Sequence, residues 1–347
     1  MSAETTIEGQ VAGAEQEVPI LEVRDLVKHY PIRQGPLGRG TGSVRAVDGV
    51  SFSIPRGRTV GLVGESGSGK STTARLANRL IEPTSGQVFF DGDDLLAKRG
   101  RELTALRRRM QMIFQDPYGS LNPRMTVLNI VGEPLEVHGV ARGKARVARV
   151  VELLETVGLS GRDLYRFPHQ FSGGQAQRLG IARALATSPD VIFCDESVSA
   201  LDVSVQAQIL NLLKRLQHEH GLSYLFIAHD LNVVRYMADE LCVMYMGEIV
   251  ERGGSDAVFA EPLHPYTQML LAAIPGHDPT TARARERATA RGEVPSPSAP
   301  PSGCRFHTRC PLAFDRCRTE APRLQPGPEP GRAAACHLLD TTSGGKP

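Results

Sequence analysis

No stretch of this chain reaches the roughly eighteen consecutive apolar residues that a membrane-crossing helix needs, so no span is expected. Met1 to Gln16 lacks the basic-then-apolar pattern of a secretory leader, and the first 18 or so residues are small, polar and aperiodic, which predicts a disordered lead. These absences predict a protein that stays in the cytoplasm and meets a membrane only through an integral partner. An excess of one charge is also lacking: 40 Lys and Arg stand against 38 Asp and Glu, a net of +2, so composition gives no reason to invoke nucleic acid. Cysteine is sparse, with six in 347 residues, which argues against a disulfide framework. What is present, 41% hydrophobic and 22% charged residues, suits one large α/β domain with an appendage, or two domains.

The most informative stretch is Gly64-Glu65-Ser66-Gly67-Ser68-Gly69-Lys70-Ser71-Thr72. It matches G-x-x-x-x-G-K-[ST] and lies between a buried strand pattern, Val60 to Val63, and a helical one, Ser71 to Leu80. Small residues let successive backbone N–H groups turn inward as an anion nest, and the helix adds its positive N-terminal end. Lys70 would reach the β/γ-phosphates of a nucleotide, and the Ser71 hydroxyl would join the oxygen shell of Mg²⁺.

Upstream, Ile20 to Leu26 alternates like an antiparallel strand and Val44 to Ile54 resumes that pattern after a Gly/Pro/Arg-rich loop at Gln34 to Ser43. Tyr30 precedes the loop and could stack on adenine or be an ordinary half-buried strand aromatic. Downstream, Ser85 to Gly92 reads as a strand, and the basic stretch from Lys98 to Arg109 as a solvated helix face. Met110 to Gln115 reads as a strand whose terminal Gln115 points to the ligand crevice, within reach of metal or attacking water. Thr126 to Leu159 has helix-face spacing throughout. Phe171-Ser172-Gly173-Gly174-Gln175 opens another helix, as a second anion-binding N-terminus or simply a Ser N-cap. Asp190 to Glu196 is a buried strand ending in paired carboxylates, where Asp195 would orient Mg²⁺ and Glu196 would position or deprotonate water. Ser199 to Asp202 leads into an amphipathic helix, and Tyr224 to Asp230 is an apolar strand with His229 at its polar end.

In this order and combination, these motifs resemble the ATP-binding cassette (ABC) family over roughly residues 20 to 260. The resemblance implies an α/β fold: an ABC-type P-loop core with a mixed sheet, an antiparallel β subdomain and an α-helical signature subdomain over about 116–186. It implies ATP hydrolysis with Mg²⁺. Tyr30 then matches the adenine-stacking aromatic, Gln115 the Q-loop, Phe171 to Gln175 the signature, Asp202 the D-loop and His229 the switch histidine. It further implies a head-to-tail dimer, with the signature of one subunit capping the γ-phosphate held by the other. Two positions depart from the pattern: Phe171 stands where Leu is commoner, and Ser197 follows Glu196 where proline is usual.

Beyond Gly253 the chain is similar to the oligopeptide/dipeptide importer ATPases, through His264 to Thr267, Leu270 to Pro275 and Gly303 to Leu312. An appended region, 261–347, small, irregular and cysteine-containing, is expected, with His277 to Ser302 as a tether. Cys304, Cys310, Cys317 and Cys336 share a tail with too few apolar residues for its own core, so something must staple it. Free thiols are one reading. Structural zinc usually brings a close C-x₂₋₄-C pair, absent here, whereas spread thiolates can surround a [4Fe–4S] cubane, and some members of the branch carry one. Iron–sulfur is favoured, with Zn²⁺ as the alternative. Cys194 and Cys242 read as buried packing residues.

The expected protein is therefore the ATP-hydrolysing subunit of a peptide importer at the cytoplasmic face of the membrane. Its partners would be a second ATPase subunit, two integral-membrane permeases and an extracytoplasmic peptide-binding protein, with no nucleic acid. Nickel or glutathione import, or a soluble ABC ATPase acting on nucleic acid or ribosomes, are the alternatives.

Overall fold

The computed structural model describes residues 18–32, 42–274 and 293–342. The expected lead up to residue 17, most of the Gly/Pro/Arg-rich loop, and the tether as far as residue 292 lie outside the described residues.

Two sheets carry the fold. β1 (Leu21–Ile32), β2 (Gly42–Ile54), β4 (Ser85–Phe90) and β5 (Asp93–Asp94) form an antiparallel sheet in the order β2-β1-β4-β5. The main sheet holds β3 (Thr59–Val63), β6 (Met110–Ile113), β7 (Val191–Asp195), β8 (Ser223–Ile227), β9 (Glu240–Tyr245), β10 (Glu248–Gly254), β11 (Gln325–Pro326) and β12 (Ala333–Ala334). Its order is β11-β12-β10-β9-β3-β8-β7-β6, parallel from β9 to β6 and antiparallel at the β10 side. Its central strands are buried on both faces, which is why they read as near-continuous apolar runs. Alternate side chains serve different cores: Tyr224 and Phe226 of β8 join the helical side, Leu225 and Ile227 the side shared with the antiparallel sheet.

Helix boundaries depart from the sequence patterns in three places. α1 (Lys70–Ala77) stops short of Leu80, because Arg79 adopts φ +47° and its buried guanidinium donates to the Lys98 carbonyl at 2.7 Å. α2 (Gly100–Arg109) runs into β6, which ends at Ile113, two residues before Gln115. The helical pattern of 126–159 is two helices, α3 (Val127–Val137) and α4 (Gly143–Thr156), separated by a turn with Gly139 at φ +66°. Their faces, Ile130, Val131 and Leu135 against Val150, Leu153 and Leu154, are buried in one core with α5 (Gly173–Leu185). α6 (Val203–His220) and α7 (Leu231–Met237) follow β7 and β8.

The C-terminal region is built into this core. After α8 (Ser255–Ala260) and α9 (Pro265–Ala272), β12 pairs antiparallel with β10, Glu251 opposite Ala334. Phe306, 1% exposed, sets its ring 5.3 Å from Tyr245 and 5.4 Å from Tyr266, centre to centre. The fully buried Glu251 carboxylate accepts from the backbone N–H groups of Leu263 and His264 at 2.8 and 2.9 Å. The tail lacks a core of its own, as its composition suggests, and shares that of the main domain. Phe306→Ala should therefore cost about 3–5 kcal/mol of global stability, read from denaturant midpoints; a loss below about 1 kcal/mol would mean that the region is merely appended.

Candidate functional site

The loop between β3 and α1 owes its shape to glycines at positive φ. Gly64 (φ +152°) and Gly69 (φ +106°) lie where a Cβ would stand 2.2 Å from the carbonyl oxygens of Met244 and Ala46, so no side chain fits. The loop lines a cavity with Ser66, Gly67, Gly69, Lys70, Ser71 and Thr72; Val44, Ala46, Gln115, Glu196 and Pro297 complete it. Lys70 is 4% exposed, and its ammonium donates to the carbonyls of Gly64 and Glu65 at 2.8 and 2.9 Å. Burial pulls its pKa below the ordinary lysine value, while Glu196, Asp195 and Glu65 oppose that pull.

Two pairs place acids beside the loop. The Ser71 hydroxyl donates to Asp195 Oδ1 at 2.6 Å, and Asp195 is 2% exposed, with the Arg75 guanidinium 3.7 Å from its other oxygen. Gln115 Nε2 donates to Glu196 Oε2 at 2.6 Å. Glu196 sits at φ +46°, a conformation costly for a residue with a Cβ, and its backbone is tied down on both sides. Its N–H donates to the Ile227 carbonyl at 3.0 Å, and its own carbonyl accepts from Ser199 Oγ at 2.9 Å. Ser71, Gln115 and Glu196 line the cavity and Asp195 joins them through its bond to Ser71, a set of oxygen groups suited to a hard divalent cation and a water.

The remaining expected residues lie off the cavity. Tyr30 is 40% exposed under the Lys28 ammonium, 5.1 Å from its ring centre; its strand partner Val44 lines the cavity and Tyr30 does not. Ser172 and Gln175 form a reciprocal capping box on α5, each side chain bonded to the other's backbone N–H, so within the single chain Ser172 acts as the N-cap. Gly173 and Gly174 form the first turn. Phe171 is buried, its carbonyl accepting from the Tyr118 hydroxyl at 2.8 Å. Asp202 caps α6, accepting from Val205 N–H at 3.0 Å and from Ser204 Oγ at 2.7 Å. His229 is exposed at the end of β8. Ser197 is 2% exposed, so packing constrains the turn where proline is absent.

Cys304, Cys310, Cys317 and Cys336 line a separate small cavity with His264, Phe306 and His337. No disulfide joins them, and burial pushes the thiols of Cys304, Cys310 and Cys336 up to about 11. Among the described residues, no three or more His, Cys, Asp or Glu side chains gather closely enough to hold a metal ion. Neither the favoured iron–sulfur site nor its zinc alternative is therefore formed among these residues. Cys194 and Cys242 are buried, as expected of packing residues.

Residues 47–199 match the ABC transporter family, and 250–317 match the oligopeptide/dipeptide transporter C-terminal region. The chain is 56% identical to the probable peptide ABC transporter ATP-binding protein y4tS of Sinorhizobium fredii, across 92% of this chain and 90% of that one. The chain belongs to the ABC transporter ATPases. It is also 49% identical to the oligopeptide transport ATP-binding protein AppF of Bacillus subtilis, across 94% and 99% of the two chains. A dimeric post-hydrolysis structure of the ATP-binding cassette MJ0796, bound to ADP and Pi, superposes with TM-score 0.61 at 33% identity, over 68% of this chain and 98% of that one. Family membership makes this an ATPase using ATP and Mg²⁺ within a membrane transporter, working as a dimer with permease partners. Among the described residues no helix is long and apolar enough to cross a membrane.

Several residues at or behind this cavity carry no role in the sequence motifs, among them Pro297, Glu65, Tyr266 and Arg309. Pro297 walls the cavity and its carbonyl accepts from Arg45 N–H at 3.2 Å; Glu65, Tyr266 and Arg309 meet behind the loop. Tyr266 and Arg309 stood inside the branch motifs, but no local spacing pairs them with Glu65. The loop geometry gives a direct contrast. Gly69→Ala should lower stability by at least about 2 kcal/mol and abolish nucleotide binding, whereas Gly67→Ala, whose Cβ would meet open space, should cost about 1 kcal/mol; equal losses in thermal unfolding and nucleotide titration would contradict this account.

Proposed function

We propose that this chain is the ATP-hydrolysing subunit of a peptide importer and that the cavity lined by Lys70, Ser71, Gln115 and Glu196, with Asp195 bonded to Ser71, is its Mg·ATP site. The observation that carries the reading is the convergence of the phosphate loop with two hydrogen-bonded pairs, Ser71 with Asp195 and Gln115 with Glu196. Lys70 would leave the loop carbonyls for the β/γ-phosphates. Ser71 and Asp195 would hold Mg²⁺ and its waters, and Gln115 would exchange Glu196 for the cation. Glu196, on a backbone fixed by Ile227 and Ser199, would then aim or deprotonate the attacking water, with His229 completing the arrangement. Tyr30 would approach adenine from the strand beside Val44.

The position of Ser172 to Gln175 away from this cavity supports the dimer reading: α5 would present its N-terminus, together with Asp202 at the start of α6, to the γ-phosphate of a second ATPase subunit. The match of 250–317 and the names of the relatives support peptide as the solute. An extracytoplasmic peptide-binding protein would deliver it, and the subunit would sit on two permeases at the cytoplasmic face of the membrane. The segment just after Gln115 would be the contact with the permease, and Tyr118 within it is bonded to the Phe171 carbonyl.

For the tail, the four thiols on one cavity support a [4Fe–4S] centre held by Cys304, Cys310, Cys317 and Cys336. What supports this reading is only that the four thiols line one cavity; among the described residues they do not gather as a formed metal site. Such a centre would supply cross-linking of the tail.

Two experiments test these readings. Glu196→Gln should bind Mg·ATP as tightly as the wild type, hydrolyse it about 10²–10⁴-fold more slowly and accumulate as an ATP-bound dimer in light scattering; unimpaired phosphate release would remove Glu196 from its role. Anaerobically purified protein should be brown, with iron and sulfide near four each per chain in the cluster stoichiometry of about four; colourless protein carrying zinc or no metal would defeat the iron–sulfur assignment.

A further inference from the structure

Glu65, the second residue of the phosphate loop, is held by side chains that the loop motif does not contain. Arg309 donates two parallel bonds to its carboxylate, Nη1 to Oε2 at 2.6 Å and Nη2 to Oε1 at 2.9 Å. The Glu65 backbone N–H donates to the Tyr266 hydroxyl at 2.8 Å. The Glu65 carbonyl in turn accepts from Lys70 Nζ at 2.9 Å. One residue therefore joins the C-terminal region to the lysine that faces the phosphates.

Both outer partners are buried. Tyr266 is 0% exposed and Arg309 7%, and the guanidinium stands 5.8 Å from the Tyr245 ring centre and 5.9 Å from that of Phe306. A fork-to-fork pair in such surroundings is shorter and stronger than a solvated one, and it fixes direction as well as distance. The same short segment grips the far side of the loop. Arg305 bonds to the Met246 carbonyl and the Asp48 carboxylate and lies 2.9 Å from Glu248, while the N–H of the intervening Gly247 donates to the Ser68 carbonyl at 2.9 Å. Contacts from 305 to 309 thus bracket the phosphate loop at Glu65 and, through the β9–β10 turn, at Ser68.

We propose that Arg309 and Tyr266 are positioning residues of the ATP site, which fix Glu65 and through it the reach of Lys70, so that the C-terminal region sets the affinity for Mg·ATP. This rests on the reading of the cavity as the Mg·ATP site. The loop would bind phosphate by preorganised donors, and a loop released at Glu65 would have to be ordered by the nucleotide itself, weakening binding more than the chemical step.

The test uses the full chain. In Arg309→Ala, the dissociation constant and KM for Mg·ATP should rise about tenfold while kcat changes less than about threefold. Tyr266→Phe, which leaves the Glu65 amide without its acceptor, should raise both constants by about three- to tenfold. Arg309→Ala combined with Glu65→Gln should be no weaker than the worse single variant, since both remove one interaction. Lowered thermal stability with unchanged Mg·ATP affinity would overturn the proposal, as would additive effects in the double variant. Should Arg309→Ala not fold, Arg309→Lys keeps the charge and drops the fork: a weaker constant supports the proposal and an unchanged one overturns it. Wild-type protein that fails to bind Mg·ATP would overturn the site assignment instead, so the two failures are distinguishable.

Discussion

The register of three parallel strands is the constraint on which the site depends. Leu62 of β3 stands opposite Ile227 of β8, and Asp195 of β7 stands opposite the same Ile227, so three chain segments leave the sheet at one level. Gly64, Glu196 and Ala228 follow at that edge. In parallel α/β sheets this carboxyl edge is where ligands bind, because loop amides, strand-end side chains and helix N-termini all converge there. The strands cannot slip to relieve a poor fit. A shift of one residue in β8 would exchange Tyr224 and Phe226 for Leu225 and Ile227 between two different cores.

On that fixed edge, the polar side chains are arranged so that each can give up a protein partner for a ligand. Lys70 rests on carbonyls, Ser71 rests on Asp195, and Gln115 rests on Glu196. Each pair satisfies a buried or half-buried polar group that would otherwise carry a desolvation cost. Each partner is also a group whose chemistry suits phosphate, magnesium or water. The backbone of Glu196 is less free, since φ +46° is held by bonds from both neighbouring segments. Reorganisation on binding would then fall on Gln115, which belongs to the segment that carries Tyr118 to the Phe171 carbonyl. That segment joins the cavity to the start of α5 through two hydrogen bonds, Gln115 to Glu196 and Tyr118 to the Phe171 carbonyl.

How much of this was legible follows from the range over which each feature is encoded. The phosphate loop, the acid-ended strand and the buried strands of the nucleotide core were readable, because glycine at forced φ, paired carboxylates and unbroken apolar runs are local signals; their order in the sheet was not. The break between α3 and α4 was not, since the helix-face spacing of Val131 to Val157 continues across the turn at Gly139. Ser172 and Gln175 illustrate a limit of another kind: a capping box and an anion site draw on the same residues, so one chain realises the first without excluding the second. The Glu65 and Arg309 pair lies wholly beyond such reading. Its members are 244 residues apart, and nothing near either one specifies the other.

The expectation that the tail needs a staple rested on its shortage of apolar residues, and the structure changes what that shortage implies. Phe306 enters an aromatic cluster supplied by Tyr245 and Tyr266, β12 extends the main sheet, and the buried Glu251 ties Leu263 and His264 to β10. The region therefore has its hydrophobic anchorage before any metal is considered. A centre bound by Cys304, Cys310, Cys317 and Cys336 would not be what folds it. Such a centre would instead stiffen the short loop between Cys304 and Cys310, and that loop carries both Arg305 and Arg309. With or without such a centre, the packing of this loop and the geometry of the phosphate loop are joined, because Arg309 grips the Glu65 carboxylate.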